Sequence, residues 1–216
     1  VSNMDNLSVH VAVEGGDFST VEDALAFVAS QTPTAVTPWK VFIGAGTYTV
    51  ANPVTVPQFV YIQGASSSST ILIAGDNDEN LFNFGGNDVV VTDMSTVGPN
   101  NAAAFFFDGE PLGPYFFRYT FLTNLDISAA RYGIDFINTN GIVNASLTSI
   151  SVGGIGADMN GAFSRVLIRL TQDNADATKP IALKIVDLQV GVSSGQEATG
   201  VPPYDSFTVL EHNGFT

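Results

Sequence analysis

One amphipathic helix followed at once by a train of short period-two segments, all within residues 15–76, limits what this 216-residue chain can become. Ser19 and Glu22 fit the S-x-x-E capping box, in which each side chain takes up a backbone N–H left over at a helix start. Asp17, Glu22 and Asp23 crowd the positive end of the helix dipole. Val21, Leu25 and Val28 stand at i, i+4 and i+7, so residues 19–30 are expected to lay one apolar stripe against an apolar partner. The period then drops to two: Val41 and Ile43 flank Phe42, Val54 and Val56 flank Thr55, Val60 and Ile62 flank Tyr61. Such segments are strands with an inside and an outside. From Lys40 onward no second helix of convincing length appears, which excludes alternating βαβ architecture.

Two runs at this entrance carry a family resemblance. Gly16-Asp17-Phe18-Ser19-Thr20-Val21 with Ala24-Leu25 matches a GDF-x-T-[IV]-x-x-A-[IL] helix, and Val41-Phe42-Ile43 with Gly46-Thr47-Tyr48 matches a [VI]-x-[VI]-x-x-G-x-Y segment. The chain thereby resembles right-handed parallel β-helix proteins, closest to the pectin methylesterases and to the pectate-lyase-like modules of viral and phage tailspikes. In those proteins the helix plugs the first coil and the second segment begins the first rung. The resemblance covers the first third of the chain and speaks for fold more than for chemistry. It implies an all-β fold, a right-handed parallel β-helix with an N-terminal capping α-helix. Apolar pairs recur at Leu125/Ile127, Ile150/Val152, Val166/Ile168/Leu170 and Val186/Leu188/Val190, with gaps of roughly 20–25 residues and one shorter, as coils of three short faces require. Five or six coils are expected in one continuous domain. Its parts are a lead-in and capping helix over residues 1–39, coils over 40–170, and a terminal coil with a capping or oligomer segment over 171–216.

Charge restricts the partners. Twenty-one acidic residues face seven basic ones for a net −14, and no Lys or Arg stands between Lys40 and Arg118. Such a surface repels phosphate, so nucleic acid is excluded as a ligand. An anionic polymer such as polygalacturonate is disfavoured unless Arg118, Arg131 and Arg165 converge. No apolar run approaches membrane-spanning length, and the absence of cysteine removes disulfides and thiolate metal sites. Val1 opens the chain without a charged n-region or apolar h-region, so no signal peptide is read and the chain is expected to be a piece of something longer.

Sixteen phenylalanines point to an aromatic ladder inside the coils, each ring burying up to ~150–250 Å². Alternation forbids Phe105, Phe106 and Phe107 from all pointing inward. Phe106, Phe117 and Tyr115, the last two near the loop GEPLGPY, are therefore candidate outward aromatics for stacking on sugar or for a subunit interface.

Three constellations are candidates for chemistry. Asp135-Phe136-Ile137 resembles the D-F-I-F-G motif that carries one catalytic aspartate of the methylesterases, and Asn124-Leu125-Asp126-Ile127 is a poor echo of their Q-D-T-L motif. The glutamines and the L-G-R-P-W arginine motif are missing, and Asp126 and Asp135 are nine residues apart, too close to stack on adjacent rungs. A hydrolase or lyase needs carboxyls ~6.5–9.5 Å apart for inversion, with Asp126, Arg131 and Asp135 as the fallback set and Asp187, Arg165 and Arg169 as further outward residues. The alternative for the same residues is a surface ion ladder between rungs. Asp76, Asp78 and Asn80 are a weak calcium candidate, since Leu81 replaces the glycine an EF-hand loop requires. No cofactor is expected.

Two functions remain from sequence. The first is a non-enzymatic structural or receptor- or glycan-binding β-helix module of a virus or phage surface appendage. It would be a homo-oligomer (trimer), virion-surface or extracellular, meeting a cell-surface glycan or another virion protein, with no membrane insertion. The second is a polysaccharide-degrading lyase, hydrolase or esterase on the same scaffold.

Overall fold

The computed structural model describes residues 7–86, 88–108, 118–128, 130–137, 144–153, 165–171, 182–190 and 207–213. Its helix α1 (Val21–Ser30) starts one residue beyond the expected cap. Thr20 is extended at φ −126° and ψ 151°; its Oγ1 accepts from Asp23 N (3.3 Å) and donates to Asp23 Oδ2 (2.7 Å). The cap thus runs Thr20–Asp23 in place of Ser19–Glu22, with the Thr20 hydroxyl taking up the Asp23 N–H and itself donating to the Asp23 carboxylate. Glu22 turns outward from that duty, and its Oε1 accepts from Ala51 N at 3.3 Å. Val21, Ala24, Leu25 and Val28 are buried, as the stripe predicts.

The strands are β1 (Ser8–Val11), β2 (Trp39–Ile43), β3 (Gly46–Val50), β4 (Val54–Val56), β5 (Val60–Gly64), β6 (Thr70–Ala74), β7 (Phe82–Phe84), β8 (Val90–Val97), β9 (Ala103–Asp108), β10 (Arg118–Ser128), β11 (Tyr132–Ile137), β12 (Asn144–Gly153), β13 (Arg165–Thr171), β14 (Ala182–Val190) and β15 (Phe207–Asn213). A nine-stranded sheet runs β1-β2-β5-β8-β10-β12-β14, with β3 and β6 completing its second half; a six-stranded sheet runs β4-β7-β9-β11-β13-β15. Every pairing of these strands is parallel. The chain therefore alternates between two stacked parallel sheets as a parallel β-helix does. Trp39 opens β2, and the edge of its ring meets Phe27 on the outer side of α1 at 5.7 Å.

Successive passes of the same face are not evenly spaced. Val41 and its partner Ile62 are 21 residues apart, whereas Ile168 and Leu210 are 42 apart. The expected 20–25-residue rhythm is too narrow, because corner loops vary in length while only the inward positions of the strands are fixed.

In the long strands a single residue makes the bend between the two halves of the larger sheet. Asp93, Asn124 and Ser149 have φ of 62°, 52° and 53°. At each the ladder skips one position: Thr123 pairs with Thr92 and Thr148, and Leu125 with Met94 and Ile150. Asp and Asn tolerate the left-handed region better than most side chains, because their short polar groups hydrogen-bond locally. Gly64 lies under this corner, and a Cβ there would stand 2.1 Å from Asp93 O. Gly64→Ala is expected to lower the unfolding free energy by about 1–3 kcal/mol, read as a fall in the denaturant midpoint.

Inward side chains fill the coil. Phe82, Phe84, Phe105, Phe107 and Phe136 are fully buried and stack up the six-stranded sheet, with ring centroids 4.4 Å apart for Phe84–Phe107 and 4.6 Å for Phe107–Phe136. Phe106, between two inward rings, faces outward and is half-buried. On the opposite wall Thr96 takes an inward position at 1% exposure, and its Oγ1 has no hydrogen-bond partner. Thr96→Val removes that desolvated hydroxyl at constant shape and is expected to raise stability by about 1 kcal/mol, read as a higher melting temperature.

Candidate functional site

Alternation along β9, β11 and β13 sends Phe106, Asp135 and Arg169 to the outer face of the six-stranded sheet, in register on three successive rungs. Arg169 closes on Asp135 as a fork: Nε donates to Oδ1 at 2.7 Å and a terminal nitrogen to Oδ2 at 2.5 Å. The Asp135 side chain is 2% exposed and that of Arg169 25%, so the pair is largely removed from water. The planar fork suits a carboxylate better than a lysine would. The same guanidinium lies 3.7 Å from the centroid of the Tyr132 ring, and that of Arg131, the residue just before the strand, lies 5.2 Å from it. Arg131 is set by the corner before β11, where its backbone N–H is shared between Pro99 O and Ala102 O. Glu211 occupies the register position beyond Arg169.

Sequence reasoning listed Asp126, Arg131 and Asp135 as a fallback set while expecting that Asp126 and Asp135 do not stack on adjacent rungs. Asp126 lies in β10, opposite Ser95 and Ser151, on the other sheet. The corner after Ser128 separates it from Asp135. Asp108 is the carboxylate that sequence reading missed. Two residues beyond Phe106 on the same strand, it is half-buried and pairs with Ile137. A rung spacing of ~4.8 Å combined with ~6.6 Å along the strand puts its Cα about 8 Å from that of Asp135. The signal was the alternation itself: if Phe106 points out, so does Asp108. Tyr115 and Phe117 lie outside the described residues, as does the side chain of Asp187.

The Asp76–Asn80 turn is committed to other work. Asp76 Oδ1 accepts from Asp78 N, Asp78 Oδ1 from Asn101 Nδ2 at 2.6 Å, and Asn80 Oδ1 from Ala103 N. Asn52 reaches it from the preceding turn, donating to Asp76 O and Glu79 O. These oxygens tie consecutive turns together, and among the described residues no three His, Cys, Asp or Glu side chains converge as metal ligands. Nor is any described helix long and apolar enough to cross a membrane.

No protein-family model matches the sequence, and no curated protein matches it. Solved structures do. A pectin methylesterase from carrot superposes with a TM-score of 0.53 at 19% identity, covering 85% of this chain and 63% of the enzyme. A pectin methylesterase in complex with a hexasaccharide gives 0.51 at 12% identity, covering 87% and 66%. The chain shares its fold with the pectin methylesterases. At these identities the likeness to pectin methylesterase shows the fold alone, and the chain spans just under two thirds of the length of either enzyme. ORF18 of Geobacillus virus E2 aligns at a TM-score of 0.46 and 11% identity, over 86% of this chain and 49% of that one, too loosely to bear on function. The D-F-I residues noted above lie on β11, with Asp135 facing outward and Phe136 inward.

Proposed function

We propose that the chain is a six-coil β-helix, plugged at one end by α1, that recognises a polysaccharide along the outer face of the six-stranded sheet without cleaving it. The observation that carries this reading is the Asp135–Arg169 fork stacked on Tyr132. The fork ties up both carboxylate oxygens and so fixes Arg169 over Tyr132, while Tyr132 and Phe106, both half-buried, offer aromatic surface on that face for a sugar. The setting that goes with it is a homotrimer on a virion or other extracellular surface, and light scattering should return three times the chain mass. A second reading, a carbohydrate-active hydrolase, draws on Asp108, an outward carboxylate one rung and two residues away from Asp135.

Affinity electrophoresis against neutral and acidic polysaccharides, followed in parallel for reducing ends, unsaturated product and methanol, decides between them. Retardation by at least one polysaccharide without product is expected, abolished by Tyr132→Ala. Turnover that Asp108→Asn or Asp135→Asn removes would establish the hydrolase instead, and neither retardation nor turnover would sink both.

A further inference from the structure

The larger sheet carries an outward aromatic face of its own. Lys40, Tyr61, Val90 and Phe121 align in one column across β2, β5, β8 and β10, and His10, Phe42, Gln63 and Thr92 form the column beside it. Between these columns Val41, Ile62, Val91 and Leu122 point into the core. Phe42, Tyr61 and Val90 are half-buried, while Phe121 is 42% exposed. The His10 ring lies 5.2 Å from Phe42. A polar strip borders the aromatic one at the sheet's bend: Gln63 Nε2 donates to Asp93 Oδ2 at 3.1 Å, and Asn124 Nδ2 donates to Asp93 Oδ1 at 2.7 Å. Asp93 thus turns both amides so that their carbonyl oxygens are left to accept.

We propose that this face binds a neutral, extended, β-linked hexose chain running along the helix axis, at a site separate from Asp135 and Arg169. A pyranose presents an apolar C–H face that stacks on an aromatic ring and an equatorial rim of hydroxyls that needs donors and acceptors. Tyr61 and Phe121 supply rings two rungs, ~9.6 Å, apart, a span that two consecutive linked sugars cover. Gln63 and Asn124 supply the acceptors beside them. Burial, and then the charge of Asp93, push the Tyr61 phenol above its usual range.

Charge selects against an acidic glycan. Lys40 is the last cation before Arg118 in a chain of net −14, and its ammonium lies over the rings of Tyr61 (5.1 Å) and Phe42 (5.9 Å), from which a sugar stacking on Tyr61 displaces it. The carboxylate of Asp93 flanks the same surface. Flatness selects linkage: an extended β-linked ribbon lies flat across successive parallel strands, whereas an α-linked chain curls away.

Isothermal titration with cellohexaose and mannohexaose, with maltohexaose and hexagalacturonate as controls, tests this. Saturable binding of at least one β-linked probe is expected, at least tenfold tighter than either control. Phe121→Ala, at a ring 42% exposed, should stay folded by circular dichroism and weaken binding at least tenfold, and Tyr61→Ala likewise. Val36→Ala, at a loop side chain 80% exposed and outside both outer faces, should leave it unchanged. Absence of saturable binding to both β-linked probes, equal binding of maltohexaose, or full binding by folded Phe121→Ala would overturn the proposal.

Discussion

Phe107→Ala is expected to lower the unfolding free energy by about 3–5 kcal/mol, the cost of deleting a buried phenyl ring and leaving its cavity. Phe107 is fully buried between Phe84 and Phe136, at 4.4 and 4.6 Å with interplanar angles of 10° and 19°. Removing the middle ring breaks two stacks at once, and hydrogen-bonded strands on both sides prevent the wall from collapsing into the gap. Phe106→Ala, at the outward position between the same neighbours, should cost under about 1 kcal/mol, in the range of an ordinary surface change. Urea unfolding of the two variants side by side checks the alternation directly. Equal losses would mean that Phe106 is packed as deeply as Phe107 and that the strand faces are misassigned.

Arg169→Ala is expected to destabilise by about 3–5 kcal/mol, because it leaves the Asp135 carboxylate buried without that counter-charge. The double variant Asp135→Ala/Arg169→Ala should recover part of the loss, since removing both charges removes the desolvation problem along with the attraction. Asp135→Asn keeps the shape, loses the charge and should fall between. The coupling energy from this cycle should change little between low and high salt, as befits a pair largely out of water. A coupling near zero would place the fork among ordinary exposed pairs and take away the fixed platform on which the proposed polysaccharide site rests.

How much of this was legible beforehand divides by physical cause. Period-two alternation around Phe42, Thr55 and Tyr61 exposes strand faces directly, because one side of each strand must meet the core. The helix stripe Val21, Leu25 and Val28 was legible for the same reason. Its cap was misread by one residue, since Ser19 and Thr20 both offer a hydroxyl and Glu22 and Asp23 both offer a carboxylate; only the backbone at Thr20 chooses between them. Site assembly was harder. Asp135 and Arg169 are 34 residues apart and meet because their strands are adjacent, a register that depends on the length of the loop between them. The nine-residue separation of Asp126 and Asp135 argued against their stacking on adjacent rungs, and the corner after Ser128 does carry the chain from one sheet to the other between them. Asp108 was missed although its face follows from that of Phe106.

The unequal arc lengths between one rung and the next have an engineering consequence. Wall positions are fixed by hydrogen bonds to the strands above and below, so each turn's stability depends on its two neighbours and little on the loop that leads to it. The 42 residues from Ile168 to Leu210 cover one circuit that elsewhere takes 21. Peptides inserted between β13 and β14 should therefore be displayed outside the cylinder with little penalty. A comparable insertion between Asp76 and Asn80 would sever hydrogen bonds to the loops on either side and unfasten three turns together.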